Sequence, residues 1–338
     1  VNGKSKNKSR AKSKPISKRN IAAKAKPAMD VLRADSLARI PWLVHGFSTR
    51  AGGCSKAYGG GSLNLGFTTH DSKAAVERNR KTFALAVNDN DAVNDNENDK
   101  GTQSGDTPWP LVTGRQIHSD LIHFVDENLK QVPAGDGLIT STPGILLAVQ
   151  TADCLPVILV DKKRRTIGVF HAGWRGTLKR IVEKGVGEMQ RYFGTRPADL
   201  RAAIGPGIRG CCYQVGSEVK SAFESQFGYS NDLFRETKET DEIHEKYPLL
   251  FLTSRAPGHS QLPKQIFLDL AHANRRQLLD AGVPARNISD IGLCTSCWTD
   301  LFFSHRAEKG VTGRMMAAVG IVPSAQLADS RSPTGKIV

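Results

Sequence analysis

Apolar positions along this chain alternate between two rhythms. Short aliphatic and β-branched runs predict strands over Val44–Ser48, Pro110–Thr113, Gly137–Thr140, Ile145–Val149, Leu155–Val160, Thr166–Phe170, Arg201–Ile204 and Met315–Ile321. Between them, apolar residues spaced near 3.6 predict helices over Lys73–Val87, Thr177–Phe193, Ser217–Phe227 and Leu268–Ala281, the last closed by Gly282 with Pro284 beyond. Hairpins and helices interleave, so the expected fold is α/β, a single domain over residues 39–322 with a mixed β-sheet flanked by helices. No internal repeat and no linker divides it.

The rhythm fails in four places. Residues 1–38 read as a disordered basic tail, about 88–108 as a polar Asn/Asp insertion, about 228–263 as an extended loop with at most a short helix, and 323–338 as a loose end. The formal charge of +14 would suggest nucleic acid if it were spread evenly. It is not: ten Lys/Arg and no acid fall in the first 26 residues, and the rest holds 37 basic against 33 acidic residues. Nucleic acid is therefore expected as a partner only weakly, through the tail. That tail lacks the apolar region of a secretory signal and the amphipathic, Arg-rich character of a mitochondrial presequence. No run of 18 apolar residues suggests a membrane span, and no membrane partner is expected. Six cysteines, two of them vicinal, suit a reducing, cytoplasmic setting.

The candidate chemistry begins with Cys154 and His171. They flank two apolar runs, Leu155–Val160 and Thr166–Phe170, joined by the charged turn Asp161–Arg165. Residues placed symmetrically about a hairpin turn lie opposite each other and share a face, so a thiol and an imidazole are expected side by side at the open end. A catalytic zinc site takes three protein ligands and leaves a position open. The third could be His118, after the strand Pro110–Thr113; His45 is an alternative, while His123 reads as a strand residue and His272 and His305 as possible cleft residues.

Other motifs point less sharply. Cys294-Thr-Ser-Cys297 has no second C-x-x-C or spaced His pair to complete a zinc site and does not open a helix after a strand, so it is expected to be an unreactive pair or a pocket wall. Of Cys211 and Cys212, one should pack inward and one face a cleft. The glycine-rich stretch from Arg50 through Asn64 to Gly66 matches neither a dinucleotide nor a Walker A loop, but sets an arginine beside free N–H groups. Arg175, at the start of a helix expected to be capped by Thr177, would favour an anion, and Trp174 could stack on a planar ring.

Thr151-Ala-Asp-Cys154-Leu-Pro-Val157, His171-Ala-Gly-Trp-Arg-Gly176, Gln116-Ile-His118-Ser, Ile204-Gly-Pro-Gly-Ile with Cys211-Cys-Tyr, Leu268-Asp-Leu with Ala273-Asn, and Cys294-Thr together resemble the YfiH family over roughly residues 40–322. Its members are also named laccase-like polyphenol oxidases and purine nucleoside phosphorylases with an adenosine deaminase activity. The resemblance implies a YfiH-like fold and a Zn2+ ion held by His118, Cys154 and His171. It implies phosphorolysis of adenosine, inosine, guanosine and methylthioadenosine, and hydrolytic deamination of adenosine, with purine nucleosides and phosphate as partners. Arg50, Asn64 and Arg175 match positions lining the family's cleft, and Asp153 is a candidate for orienting a ligand or moving a proton. Gln214 stands where the family often has Glu, and Cys54 where it usually has Val.

Two rival enzymes use the same residues. A copper-dependent polyphenol oxidase could employ the His/Cys/His set, yet a laccase proper needs paired His-x-His motifs and this chain has none. A metal-free cysteine hydrolase could use Cys154 as nucleophile and His171 as base.

Overall fold

The computed structural model describes residues 29–89, 108–127, 131, 133–238 and 264–324. Most of the basic tail and of the Asn/Asp insertion, the later part of the expected loop, and residues 325–338 lie outside the described residues. Two of the expected loose segments nevertheless enter the fold. Val31–Leu32 pairs with Phe47 and Ser48, and Leu37 on the short helix Asp35–Ala38 is buried, because this end of the tail carries apolar side chains in place of lysines. Phe234–Lys238 is a strand, placed after a 3-10 turn at Ser230–Leu233.

Among the described residues, the mixed α/β arrangement is distributed over three sheets. The first has the spatial order Val31–Leu32, Leu43–Ser48, Met315–Ile321, Leu146–Thr151, Leu111–Thr113. The second runs Ile288–Asp290, Leu200–Ile204, Leu155–Asp161, Thr166–Ala172, Gly137–Thr140, Ile122–Phe124. A small third sheet holds Gln214–Val215, Lys264–Leu268 and Phe234–Lys238. The two larger sheets pack face to face. Phe47, Leu147, Val149 and Val319 of the first meet Leu138, Ile158, Val160, Ile167 and Val169 of the second in one buried cluster.

Each sheet also buries its other face. Val157, Leu159 and Phe170 pack against Val182, Val186 and Met189 of the helix Ile181–Phe193 and Leu278 of the helix Leu270–Asp280. Val44, Ala148 and Ala318 meet Phe83 and Val87 of the helix Lys73–Asn88. Strands buried on both faces carry apolar residues at consecutive positions, which is why Leu155–Val160 reads as an unbroken run. Truncating Ile158, which is fully buried between the sheets, to alanine should cost about 2–5 kcal/mol.

Two expectations change in detail. The helix expected over Thr177–Phe193 is two helices, Trp174–Leu178 and Ile181–Phe193, separated where Arg180 adopts φ 64°. Gly173, and not Thr177, occupies the N-cap, and Thr177 lies inside the first helix, accepting a hydrogen bond from Asn274 (3.0 Å). The helix expected from Leu268 begins at Leu270, because Asp269 caps it by accepting from the His272 N–H and Leu268 belongs to a strand.

Candidate metal centre and its pocket

The hairpin forms, with a register two residues away from the symmetric pairing of Cys154 with His171. Leu155 pairs with Ala172 and Pro156 with His171, so Gly173 is the position opposite Cys154. The cause lies in the turn. Asp161 pairs with Thr166, its carboxylate accepts from the Lys163 and Arg164 N–H groups, and Arg165 closes the loop at φ 52°. A slip of two residues preserves the face, so thiol and imidazole remain diagonal neighbours on the side turned toward the first sheet. The missing side chain of Gly173 makes the room: a Cβ there would lie 2.9 Å from the Cys154 sulfur and 3.2 Å from the His118 ring.

His118 arrives from the segment that crosses from Leu111–Thr113 in the first sheet to Ile122–Phe124 in the second. Its φ of 57° is left-handed, and its ring centroid is 5.0 Å from that of His171. The ligand atoms of His118, Cys154 and His171 all lie within 4.8 Å of one another, with His118 exposed, Cys154 intermediate and His171 buried. With metal–nitrogen and metal–sulfur bonds of about 2.0–2.3 Å, neighbouring donors on one ion stand roughly 3.3–3.8 Å apart, so only small side-chain adjustments close this set. One thiolate and two imidazoles form a donor set suited to a transition metal, with the exposed side of His118 left open toward the pocket.

The residue that organises this centre is Asp136, which has no local signal in the sequence. Its buried carboxylate accepts from His171 Nδ1 (2.8 Å), from the N–H groups of Ile117 (3.2 Å), His118 (3.1 Å) and Ser119 (2.6 Å), and from the Ser119 hydroxyl (2.7 Å). Carboxylates that hold the second nitrogen of a ligating histidine fix its tautomer and orientation. Burial alone would raise Asp136, but the bonds from His171 and Ser119 outweigh it and hold the acid well below the usual carboxylate range. Burial likewise raises the Cys154 thiol, yet the charge of His171 and hydrogen bonds from both imidazoles bring it down to about 6. His171, disfavoured as a cation by burial, is pushed up to about 9 by Cys154 and Asp136.

A pocket of about 560 Å³ opens over the three donors. Arg115, Arg175, Arg306 and Arg314 line it, together with Trp174, Tyr213, His305 and Asp153. Arg175, an exposed residue of the lining, stacks its guanidinium 4.3 Å above the Trp174 ring centre. Burial pushes the Tyr213 phenol upward, so it stays a hydroxyl at neutral pH. Gln116 exchanges two bonds with the Gln150 backbone (2.8 and 2.7 Å) and ties the His118 loop to the first sheet.

The other expected site residues divide between the pocket wall and the packed interior. Asp153 lines the pocket at φ 89°, but its oxygens accept from the hydroxyls of Thr295 (2.6 Å) and Ser304 (2.8 Å) and the N–H of Arg306 (2.7 Å). These bonds anchor that wall, and the carboxylate in contact with the His171 ring is that of Asp136. Arg50 and Asn64 do not line the pocket. The Arg50 guanidinium donates to the carbonyls of Thr299, Phe302 and Tyr58 and to Glu308, and Asn64 is buried, holding Asp71, Gly66 and the Arg314 N–H. His45 is buried against the Ala34 N–H, with burial and Arg33 lowering it to about 4; His123 contacts the Ala134 carbonyl. His305 reaches the rim and His272 is exposed on its helix.

Cys294-x-x-Cys297, expected to stand alone, meets Cys211 and Cys212: the four sulfurs lie within 4.8 Å of one another.

The comparisons with known proteins agree with this architecture. A family model described as multi-copper polyphenol oxidoreductase laccase matches residues 44–92 and 83–322. The chain is 32% identical over 287 residues to purine nucleoside phosphorylase YlmD of Bacillus subtilis (strain 168), covering 82% of this chain and 88% of that protein. It is 34% identical over 218 residues to adenosine deaminase RL5 of an unknown prokaryotic organism, covering 62% and 74%. The crystal structure of YlmD from Geobacillus stearothermophilus aligns with a TM-score of 0.67 at 32% identity, covering 89% of this chain and 98% of that one. Sequence and fold together establish that the chain belongs to the YfiH family, that of the multi-copper polyphenol oxidoreductase laccase model.

Proposed function

We propose that the pocket is the active site of a zinc-dependent purine nucleoside enzyme, which cleaves the glycosidic bond with phosphate and deaminates adenosine with water. The observation that carries this reading is the convergence of His118, Cys154 and His171 at the floor of an arginine-lined pocket. The names of the relatives point to the same substrates. Zinc held by these three residues would supply Lewis acidity at its open position.

The remaining work belongs to the chain. Asp136 fixes the His171 ring and the backbone of His118, so the donors are preorganised. Arg175 and Arg306 offer positive charge for phosphate, and guanidinium forks match phosphate oxygens better than ammonium groups do. Trp174 and Tyr213 give flat surfaces for a purine, with the Tyr213 hydroxyl as a donor to a ring nitrogen. His305 adds an imidazole to the pocket lining, on the side where a leaving base would depart.

The test is a chromatographic assay of adenosine, inosine, guanosine and methylthioadenosine with and without phosphate, using zinc-loaded wild type and Cys154→Ala. Free base appearing only with phosphate, inosine appearing from adenosine, and both vanishing in the variant are expected. Intact nucleosides in every tube would refute the reading. A thiolate with two imidazoles also suits copper, so phenol oxidation is the second reading. It requires copper in protein grown without added copper.

A further inference from the structure

Cys211 and Cys212 end a tight turn that follows the strand Leu200–Ile204, and Cys294 and Cys297 lie 82 or more residues later, after Ile288–Asp290. Those two strands are parallel neighbours, and the loops leaving them stay together: Gly207 bridges to Cys294, and the Thr295 N–H donates to the Gly207 carbonyl (3.2 Å). The result is four sulfurs in one place. Cys297 Sγ lies 3.3 Å from that of Cys212 and 3.6 Å from that of Cys211, and all four are within 4.8 Å.

Those spacings decide between the possible uses of the thiols. A tetrahedral Zn–S4 centre with bonds of about 2.3 Å sets its sulfurs roughly 3.8 Å apart, within the observed spread. A disulfide would draw one pair to about 2.05 Å and leave the others unmatched, whereas Cys297 is almost equally close to two neighbours. Vicinal Cys211 and Cys212 cannot form an ordinary bridge with each other. An iron–sulfur cluster spreads its thiolates around several metal atoms, and this group is too tight for one. Arg209, paired through both nitrogens with Asp290, and Arg235 donate to the carbonyls of Gly205 and Gly210 and so hold the loop that carries Cys211 and Cys212.

We propose that Cys211, Cys212, Cys294 and Cys297 form a second metal site, a closed four-thiolate zinc centre. The ion would tie the turn that carries Tyr213 to the loop whose Thr295, Ser304 and Arg306 grip Asp153, and so brace one wall of the pocket. No position is left for substrate, so the role is structural.

Zinc per chain, measured by mass spectrometry on full-length protein purified without chelator under nitrogen, tests this. Two equivalents are expected in wild type, one in Cys154→Ala and one in the double variant Cys211→Ser with Cys297→Ser, both of whose sites are exposed. Cobalt loaded into Cys154→Ala should give the intense sulfur-to-metal charge transfer and tetrahedral bands of an S4 site, and the double variant should lose them. Zinc content unchanged by the double substitution, no metal in Cys154→Ala, iron in place of zinc, or a Cys212–Cys297 disulfide in the anaerobic protein would each overturn the proposal. Because the Cys154→Ala arm is inactive by design, these outcomes are independent of the nucleoside assay.

Discussion

The His118–Cys154–His171 group and the four-cysteine group are both built at one end of the second sheet, where Leu155–Asp161 begins and Thr166–Ala172, Leu200–Ile204 and Ile288–Asp290 end, yet they differ in donors and in access. The first mixes imidazole with thiolate, sits under a pocket of about 560 Å³, and draws on strands and a crossover from two sheets. The second is all sulfur, comes from two loops tied by backbone hydrogen bonds, and opens into no part of that pocket. Metal sites with an open position do chemistry, while those enclosed by four ligands hold structure. The difference teaches that substitutions in the first should act on turnover, and substitutions in the second on stability.

The largest effect expected is from Cys154→Ala. Turnover should fall by at least about 10³-fold with folding intact, since the side chain is only partly buried and no backbone bond depends on it; steady-state assays and circular dichroism check both halves. Asp136→Asn should weaken metal affinity by about 10–100-fold, the usual cost of removing a carboxylate behind a ligating histidine, and competition with a chelator measures it. Because the folded acid lies below its unfolded value, the stability it contributes is present above about pH 4 and fades as pH falls further, so the pH dependence of unfolding should flatten in the variant.

Metal-free protein should show a different signature. The folded thiol of Cys154 is near 6 against about 8.5 for a free thiol, and His171 is near 9, so thiolate and imidazolium coexist between those limits. Alkylation of Cys154 by iodoacetamide should therefore rise with a midpoint near pH 6 after chelation and be suppressed by metal. If chelation changes nothing, the thiol acts without a metal, and the cysteine hydrolase gains ground. Gly173→Ala should lower kcat several-fold by pressing on Cys154 and His118, with kinetics and metal content read together. The Cys211→Ser, Cys297→Ser pair should change kcat/KM by less than about threefold while lowering Tm by several degrees; a larger loss of activity than of stability would erase the contrast between the two groups.

Local pattern carried much of this into view. Gly137–Thr140 and Met315–Ile321 begin and end where their runs predict, and Cys154 and His171 share a face because strand alternation survives a two-residue slip. Distant pairing was hidden. Asp136 lies 35 residues from His171 between two glycines, and nothing nearby marks it as the partner of a ligand. Cys294-x-x-Cys297 looked incomplete because its partners come from a separate loop, joined only when Leu200–Ile204 pairs with Ile288–Asp290. Arg50 reads locally as an anion contact, and in the fold its guanidinium is held by three carbonyls and Glu308, partners the neighbouring sequence does not announce.

One carboxylate, that of Asp136, grips both the imidazole on the strand and the main chain of the loop bearing the other imidazole. The loop therefore cannot swing outward to shed an ion while the strand histidine stays latched. Release should be a single concerted unfastening with one rate constant, and chelator-driven loss from this centre should follow one exponential.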